Sequence, residues 1–264
     1  MNLSLMKTIM GKESGLPTNF DKRADKYNKI AWVKDKKLLS SIKGMLELAG
    51  DERILEVGIG TGVLAEYLVH DCCMYMGVDS SKEMLSHVPK HGKIHCDAGS
   101  ATQLEYADNS FDRVIFRNVL HHLPGKINMA LREARRVLDR TGKIMFVCGI
   151  TQSDEAISDF SRICCAKENR LVFTKEDVLN TMQLFFDVDE FSVIQLHKQS
   201  VMNWVDNCNV TRKVKKRIIK AHMESSDVYK KACNMTFSDD DIFVDMHFLI
   251  VTGIKKGTVL DART

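Results

Sequence analysis

The stretch ILEVGIGTG, residues 54–62, is the part of the sequence that decides the fold class. Its apolar first half is typical of a buried strand, and this strand runs directly into a turn with Gly58, Gly60 and Gly62 at every second position. Because glycine has no Cβ, such a turn can bend tightly and let a ligand approach the backbone. Loops of this kind follow the first strand of nucleotide-binding α/β sheets, where the next helix presents free N–H groups.

Three more segments continue the pattern, and the first two place an acidic residue at the end of a strand. The segment MGVDSS, residues 76–81, reads as a second strand with Asp79 at its tip, and a carboxylate there can accept both hydroxyls of a ribose. IHCDA, residues 94–98, reads as a third strand that ends in an acid. SFDRVIFRNVLHH, residues 110–122, gives a fourth strand and its loop. The alternation of strands and helices over 50–150 predicts a parallel sheet with right-handed crossovers.

This ordered series resembles the class I S-adenosylmethionine (SAM) methyltransferases, most closely the UbiE-like (type 11) small-molecule group. The resemblance covers about residues 18–150 and is carried by ILEVGIGTG, MGVDSS, CDAGSATQLEYADNSFDRVIF, RNVLHHL and REARRVLDRTGKIMFV. The chain departs from the family before the fifth strand, where Arg140-Thr141-Gly142 replaces the usual Pro-Gly-Gly. That loop is expected to lie far from the cofactor, so the departure bears on loop shape.

The resemblance implies a site for SAM, which becomes S-adenosylhomocysteine when its methyl group is transferred. It implies no metal. Glu56 is implied to lie near the methionyl amino group, Asp79 to bind the ribose hydroxyls, and Asp97 to accept from the exocyclic amine of adenine. The resemblance also implies that Ala98 flanks the adenine and that Asn118 lies beside the methionyl part. The implied cofactor-binding set is Tyr27, Glu56, Gly58, Gly60, Gly62, Asp79, Ser80, Asp97, Ala98 and Asn118.

The N-terminal segment FDKRADKY, residues 20–27, resembles the F-x-x-x-A-x-x-Y entry segment of the same group. There the aromatic ring closes over the cofactor and substrate cavity, which makes Tyr27 a candidate for both cofactor binding and catalysis. The alternative is an ordinary amphipathic cap helix.

Two neighbouring histidines after the fourth strand are the candidates for a general base. Methyl transfer from a sulfonium needs donor and acceptor held in line, and a base helps only where the acceptor has a proton to lose. His122 is the candidate base, since an imidazole can accept a proton near neutral pH. His121 is expected to hydrogen-bond a loop, and His122 can instead simply wall the cavity.

The predicted fold is a Rossmann-like, doubly wound, seven-stranded α/β sheet with an antiparallel last strand. We divide the chain into a tail and helical cap (1–49), a SAM-binding core (50–198), a helical insertion (199–240) and a final strand with a tail (241–264). The sixth and seventh strands are expected at 188–197 and 241–254. A helix is expected before them at 173–184, with Thr174 as its N-cap three residues before Asp177. An antiparallel seventh strand would begin at the edge of the glycine loop, so the insertion is expected to hang over the active site.

Composition excludes several classes of protein. A net charge of +3, with 28% charged residues, argues against a dedicated nucleic-acid binder. Eight cysteines without C-x-x-C spacing, and the lack of an export signal, favour free thiols in a reducing cytoplasm over a disulfide framework or a zinc site. No stretch approaches the ~20 apolar residues of a membrane span. The basic run 212–220 is expected to be a solvated helix face.

The sequence therefore predicts a cytoplasmic SAM-dependent methyltransferase with a small-molecule acceptor. Three alternatives stay open. An RNA or protein methyltransferase would need a recognition domain or a strongly basic face. A SAM-binding regulator would keep the cofactor residues without turnover. A quinone C-methyltransferase is suggested by Arg117-Asn118-Val119, but the following Leu120-His121-His122 departs from the quinone enzymes.

Overall fold

The computed structural model describes residues 20–257, and the predicted irregular tail at 1–17 lies outside them. The strands are β1 Arg53–Val57, β2 Met74–Asp79, β3 Ile94–Ala98, β4 Phe111–Arg117, β5 Leu138–Ile150, β6 Phe186–Ser200, β7 Thr236–Phe237 and β8 Ile242–Lys255. The helices are α1 Ala24–Tyr27, α2 Lys36–Leu46, α3 Val63–Leu68, α4 Lys82–Ser86, α5 Ile127–Val137, α6 Ile157–Lys167, α7 Lys175–Gln183, α8 Val201–Asp206, α9 Arg212–Met223 and α10 Asp227–Ala232.

The strands form one sheet in the order β3-β2-β1-β4-β5-β8-β6. Strands β1 to β5 pair in parallel, and β8 is antiparallel to both β5 and β6. This confirms the predicted Rossmann-like sheet with an antiparallel last strand. The count differs by one, because the two-residue β7 adds to the start of β8 through the pairs Thr236–Phe243 and Phe237–Ile242.

The helix caps show why the elements begin where they do. The Asp35 carboxylate accepts a hydrogen bond from the Leu38 backbone N–H at 2.9 Å and so caps α2. Helix α7 begins with a capping box in which Thr174 and Asp177 bond reciprocally. This confirms the helix start predicted from Thr174. Strand β6 extends further than predicted, to Ser200, because it pairs with β8 as far as Ser200–Phe243.

Both faces of the sheet are covered, which explains the continuous apolar run of β8. One core cluster joins α2 and α3 to the sheet, and a second joins α5 and α7 to its other face. Phe248 belongs to the first cluster and Leu249 to the second, as expected for side chains that alternate across a strand. A third cluster joins α6 to α8, α9 and α10.

This topology brings the predicted site residues to one edge of the sheet. The carboxyl ends of β1, β2, β3 and β4 lie there, together with the start of the antiparallel β8. The helices α8, α9 and α10 lie between β6 and β8 in the chain, as the predicted helical insertion requires. No helix within residues 20–257 is long and apolar enough to cross a membrane.

Candidate active site

The glycine loop after β1 has the backbone that only glycine adopts easily. Gly58, Gly60 and Gly62 have φ values of 78°, 56° and 75°. A Cβ built on Gly58 would lie 2.3 Å from Cγ2 of Val119, so this glycine is required by packing. A Cβ on Gly60 would meet no atom within 4 Å. Gly60 therefore faces open space, which a ligand can use.

A small cavity of about 290 Å³, including its open mouth, lies against this loop. Glu56 and Arg117 bring opposite charges to it, and both come from the ends of adjacent parallel strands. The buried Glu56 carboxylate accepts a 2.8 Å hydrogen bond from the Tyr75 hydroxyl. The cavity is lined by Tyr27, Glu56, Gly58, Ile59, Gly60, Thr61, Val63 and Arg117.

The two charged groups of the small cavity are incompletely satisfied by the protein. Burial raises the pKa of Glu56 to about 7, and the nearby Arg117 guanidinium only partly opposes this. Arg117 donates from its Nη2 to the Val33 carbonyl at 2.5 Å, but its buried Nε has no hydrogen-bond partner among residues 20–257. A buried polar atom without a partner is costly, so this donor is suited to an incoming ligand. The sequence marks Arg117 only as part of the motif Arg117-Asn118-Val119, and no local pattern predicts this unpartnered donor.

Asp79 at the end of β2 is bonded to the glycine loop. Its carboxylate accepts from the backbone N–H of Gly60 and of Ser81, each at 2.9 Å. Burial raises the pKa of Asp79, and these N–H donors oppose the rise. Ser80, between Asp79 and Ser81 in the chain, is exposed and lines neither this cavity nor the larger one described below.

Asp97 and Ala98 lie one strand further out. The register pairs Val78 with Asp97 and Asp79 with Ala98, so both residues sit beside the end of β2. Both are exposed and line neither cavity. The Asp97 carboxylate accepts a 3.1 Å hydrogen bond from the Tyr106 hydroxyl, a partner that the sequence analysis did not identify.

A second, larger cavity of about 1120 Å³, including its open mouth, lies between the sheet edge and the helices above it. Its walls come from the N-terminal segment, the loop after β4, α6, α8, α9, α10 and the start of β8. Tyr27 lines this cavity and the small one. Its ring meets Trp32 edge to face, with 6.4 Å between ring centroids. Tyr27 is therefore part of the boundary between the two spaces.

The loop after β4 supplies Asn118, His121 and His122 to the larger cavity. Asn118 has a positive φ of 56°, and its side-chain oxygen accepts from the Gly149 N–H at 3.3 Å. Burial lowers the pKa of His122 to about 3, against the opposing effect of the Glu168 carboxylate. Burial also lowers the pKa of His121 well below its usual range. Both imidazoles are therefore neutral near pH 7.

Potential metal ligands and thiols lie apart from this arrangement. Within residues 20–257, one group that could hold a metal ion is found, the surface cluster Asp25, Glu83 and His87, and none of its members lines either cavity. The absence of a metal from the reaction stays a prediction. All eight cysteines are free. Cys164 is more buried than its neighbour Cys165, and burial raises the pKa of the Cys164 thiol.

Comparison with known proteins agrees with the fold and the loop. Residues 55–146 match the family model described as a methyltransferase domain. YcgJ of Bacillus subtilis (strain 168), named an uncharacterized methyltransferase, is 24% identical over 257 residues, which are 90% of this chain and 98% of that protein. Its crystal structure gives a TM-score of 0.70 at 20% identity and covers 84% of this chain and 100% of that one. Demethylmenaquinone methyltransferase of Corynebacterium efficiens is 28% identical over 129 residues, 47% of this chain and 55% of that enzyme.

Sheet order and glycine loop together define a Rossmann-like fold, a class in which nucleotide cofactors bind at the carboxyl edge of the sheet. The matching domain and the relatives make the class specific: residues 55–146 match a methyltransferase domain, and this domain and the relatives support a class I SAM-dependent methyltransferase. The resemblance of the sequence to this family is thereby confirmed.

Proposed function

We propose that this enzyme transfers a methyl group from SAM, whose methionyl part would lie in the small cavity, to a small-molecule acceptor bound in the larger one. The observation that carries the proposal is the position of Tyr27, which lines both cavities. In-line transfer needs the methyl donor and the acceptor to be held next to each other. Two cavities that share one side chain in their boundary can hold them in this way.

The residues of the small cavity fit the methionyl part of SAM. That group carries an ammonium and a carboxylate, and the cavity offers the Glu56 carboxylate and the unsatisfied Nε of Arg117. Glu56 would accept from the ammonium and Arg117 would donate to the carboxylate. The open space at Gly60 leaves room for the cofactor to pass over the loop.

The remaining cofactor residues are assigned by their position along the sheet edge. Asp79 would accept from the ribose hydroxyls, since a carboxylate with two backbone donors retains lone pairs for more. Ser80 would lie beside the ribose, and Asp97 and Ala98 beside the adenine. Asn118 would contact the methionyl part from the opposite side, where its side-chain N–H group lacks a partner among residues 20–257.

SAM supplies a methyl group that the sulfonium charge already activates. The protein's part is to hold the acceptor in line, to exclude water and, for a protonated acceptor, to receive a proton. We propose Tyr27 for the first two tasks and His122 for the third. His122 is neutral near pH 7 and can accept a proton, although its pKa of about 3 makes it a weak base. A weak base can suffice here, because an acceptor hydroxyl becomes strongly acidic as it gains the methyl group.

A small acceptor is favoured over RNA or protein because α6 and the helices α8 to α10 cover the larger cavity, which limits the size of the molecule that can enter. The relative named demethylmenaquinone methyltransferase has a small-molecule substrate by its name, which makes a quinone ring a candidate. The departure at Leu120-His121-His122 argues against that particular acceptor. A cytoplasmic location remains our expectation.

The test is to incubate methyl-labelled SAM with the purified protein and fractionated extract of its source cells. Label in a low-mass species supports the proposal and provides the acceptor for identification. Label in RNA or protein would replace it with the first alternative. Tight SAM binding without any label would favour a regulator. Asp79→Ala serves as the binding-deficient control, and Glu83→Ala, which removes an exposed carboxylate of α4, serves as the matched one.

A further inference from the structure

The larger cavity contains cationic groups and no acidic one among the side chains that line it within residues 20–257. Arg23, Lys167 and Arg170 line the cavity, and no aspartate or glutamate does. Arg23 reaches it from the N-terminal segment, while the other two lie at and just beyond the end of α6. The first two are nearly excluded from water, with side-chain exposures of 10% and 8%.

One carboxylate lies behind these cations. Glu168 is buried, and its carboxylate contacts Arg23 at 2.6 Å and Lys167 at 3.0 Å. Arg170 forms no ion pair within residues 20–257, and its Nε donates only to the Leu171 carbonyl at 3.3 Å. Three positive charges thus surround one negative charge, which leaves an excess of positive charge beside a largely apolar cavity. An uncompensated buried charge is unfavourable, so this arrangement is suited to an anion that completes it.

The rest of the cavity wall is suited to an apolar part of the molecule that carries the anion. Trp32 packs on Phe248 with 5.6 Å between ring centroids, and Lys167 Nζ lies 5.3 Å from the Trp204 ring centroid. Buried polar atoms without a partner among residues 20–257 also concentrate here: Trp32 Nε1, Asn118 Nδ2, His121 Nδ1, His122 Nδ1, Gln152 Oε1 and Gln199 Oε1. Apolar rings with a few unsatisfied polar atoms are typical of a site for an organic molecule.

We infer that the acceptor is an organic anion: an apolar body between the rings of Trp32 and Trp204, with a carboxylate or phosphate bound by Arg170 beside Lys167 and Arg23. This inference rests on the proposed function, because it assigns the acceptor of the same transfer. Arg170 is the principal anion ligand, since its guanidinium forms no ion pair within residues 20–257 and can bind an oxyanion with two parallel hydrogen bonds.

The two tryptophans make this binding directly measurable. The chain has two tryptophans, Trp32 and Trp204, and both line the cavity, so intrinsic fluorescence reports its occupancy. Four probes share one apolar tail and differ in head group: octanoate, octyl phosphate, octanamide and octylamine. We expect at least one of the two anions to bind ~10-fold or more tightly than octanamide, and octylamine to bind weakest. The anion that binds more tightly indicates whether the acceptor carries a carboxylate or a phosphate.

Arg170→Gln should reduce the preference for the anion over octanamide to within about 3-fold, while the affinity for SAM stays unchanged. The matched control is Arg162→Gln, an exposed arginine of α6 that pairs with Asp159 and does not line the cavity. Unchanged SAM affinity also verifies that the variant is folded. Lys167→Met is the second variant, since it keeps the apolar stem over Trp204 and removes the charge.

Equal binding of octanoate, octyl phosphate and octanamide would overturn the inference. An unchanged preference for the anion over octanamide in both Arg170→Gln and Lys167→Met would also overturn it. The labelling experiment keeps this failure separate from that of the proposed function. Treating the extract with an anion-exchange resin should remove the acceptor, whereas a cation exchanger should not. Label that survives the anion exchanger overturns the inference and leaves the methyltransferase proposal standing. Absence of label in the untreated extract contradicts the proposed function itself.

Discussion

The carboxylate of Asp79 accepts a 2.9 Å hydrogen bond from the backbone N–H of Gly60, so the second strand fixes the loop that follows the first. Its other oxygen accepts from Ser81 at the same distance. One side chain thus shapes the loop and is also the proposed ligand of the ribose hydroxyls.

Asp79→Ala should weaken SAM binding by about 1–3 kcal/mol, because both the ribose acceptor and the support of Gly60 are lost. Titration calorimetry measures the change. Glu83→Ala, on the exposed face of the next helix, should leave the affinity unaltered. An unaltered affinity in Asp79→Ala would refute the assignment of the ribose site.

Two alanine substitutions in the glycine loop should fail in different ways. Gly58→Ala should destabilise the fold, because the new Cβ would lie 2.3 Å from Val119 Cγ2 and φ is 78°. Gly60→Ala has free space at its Cβ, so it should fold with only a modest cost for its positive φ of 56° but lose SAM affinity. Thermal unfolding and calorimetry on both variants separate the two effects. Equal SAM affinity in folded Gly60→Ala and the parent protein would contradict the proposed path of the cofactor.

The raised pKa of Glu56, about 7, predicts opposite pH dependences for stability and for SAM binding. A carboxyl whose pKa is higher in the folded than in the unfolded state stabilises the fold below its unfolded pKa and loses that contribution as pH rises through 7. The ligand-free protein should therefore lose on the order of 3 kcal/mol between about pH 4.5 and pH 8 from this group. SAM affinity should rise over the upper part of that range, because the ionised form accepts the ammonium.

Glu56→Gln is the control for both trends. It keeps an oxygen acceptor for the Tyr75 hydroxyl and cannot ionise. Its unfolding free energy should lack the Glu56 contribution to the pH profile, and its SAM affinity should be low at every pH. Identical profiles for the variant and the parent protein would show that Glu56 does not titrate in this range.

Replacing Tyr27 tests the boundary between the two cavities. Tyr27→Ala should reduce kcat/KM by about 100-fold or more, because the acceptor is no longer held in line and water enters. Tyr27→Phe keeps the ring and its edge-to-face contact with Trp32, so we expect activity within about 3-fold of the parent enzyme. Tyr67→Ala, at an exposed tyrosine, is the matched control. Full activity in Tyr27→Ala would remove the side chain from the mechanism.

His122→Ala tests whether a proton is accepted during transfer. If His122 is the base, kcat should fall by about 10²–10⁴-fold at saturating SAM. The rate of the parent enzyme should then be insensitive to His122 ionisation from about pH 5 upward, since the pKa of about 3 keeps the imidazole neutral there. Full turnover in His122→Ala would leave the residue as a wall of the cavity, where its ring meets Phe20 edge to face.

Much of the fold follows from local sequence patterns. The order of strands and helices, the glycine loop and the Thr174 cap depend on residues close together in the chain, and the structure has them as predicted. Two differences lie beside β8, where β6 is longer and β7 is added. Both arise from pairing with β8, and pairing between distant strands leaves little trace in the sequence of either one.

Short contiguous segments of the sequence predict the proposed cofactor site, because ILEVGIGTG and MGVDSS carry the turn, its glycines and its acids. The proposed acceptor site depends on contacts between distant segments. Arg23 and Glu168 form an ion pair although 145 positions separate them, and Arg170 acquires its role only because the folded chain leaves it without a carboxylate partner within residues 20–257. Charge balance in a buried cavity depends on which distant segments meet, and no local pattern of residues encodes that.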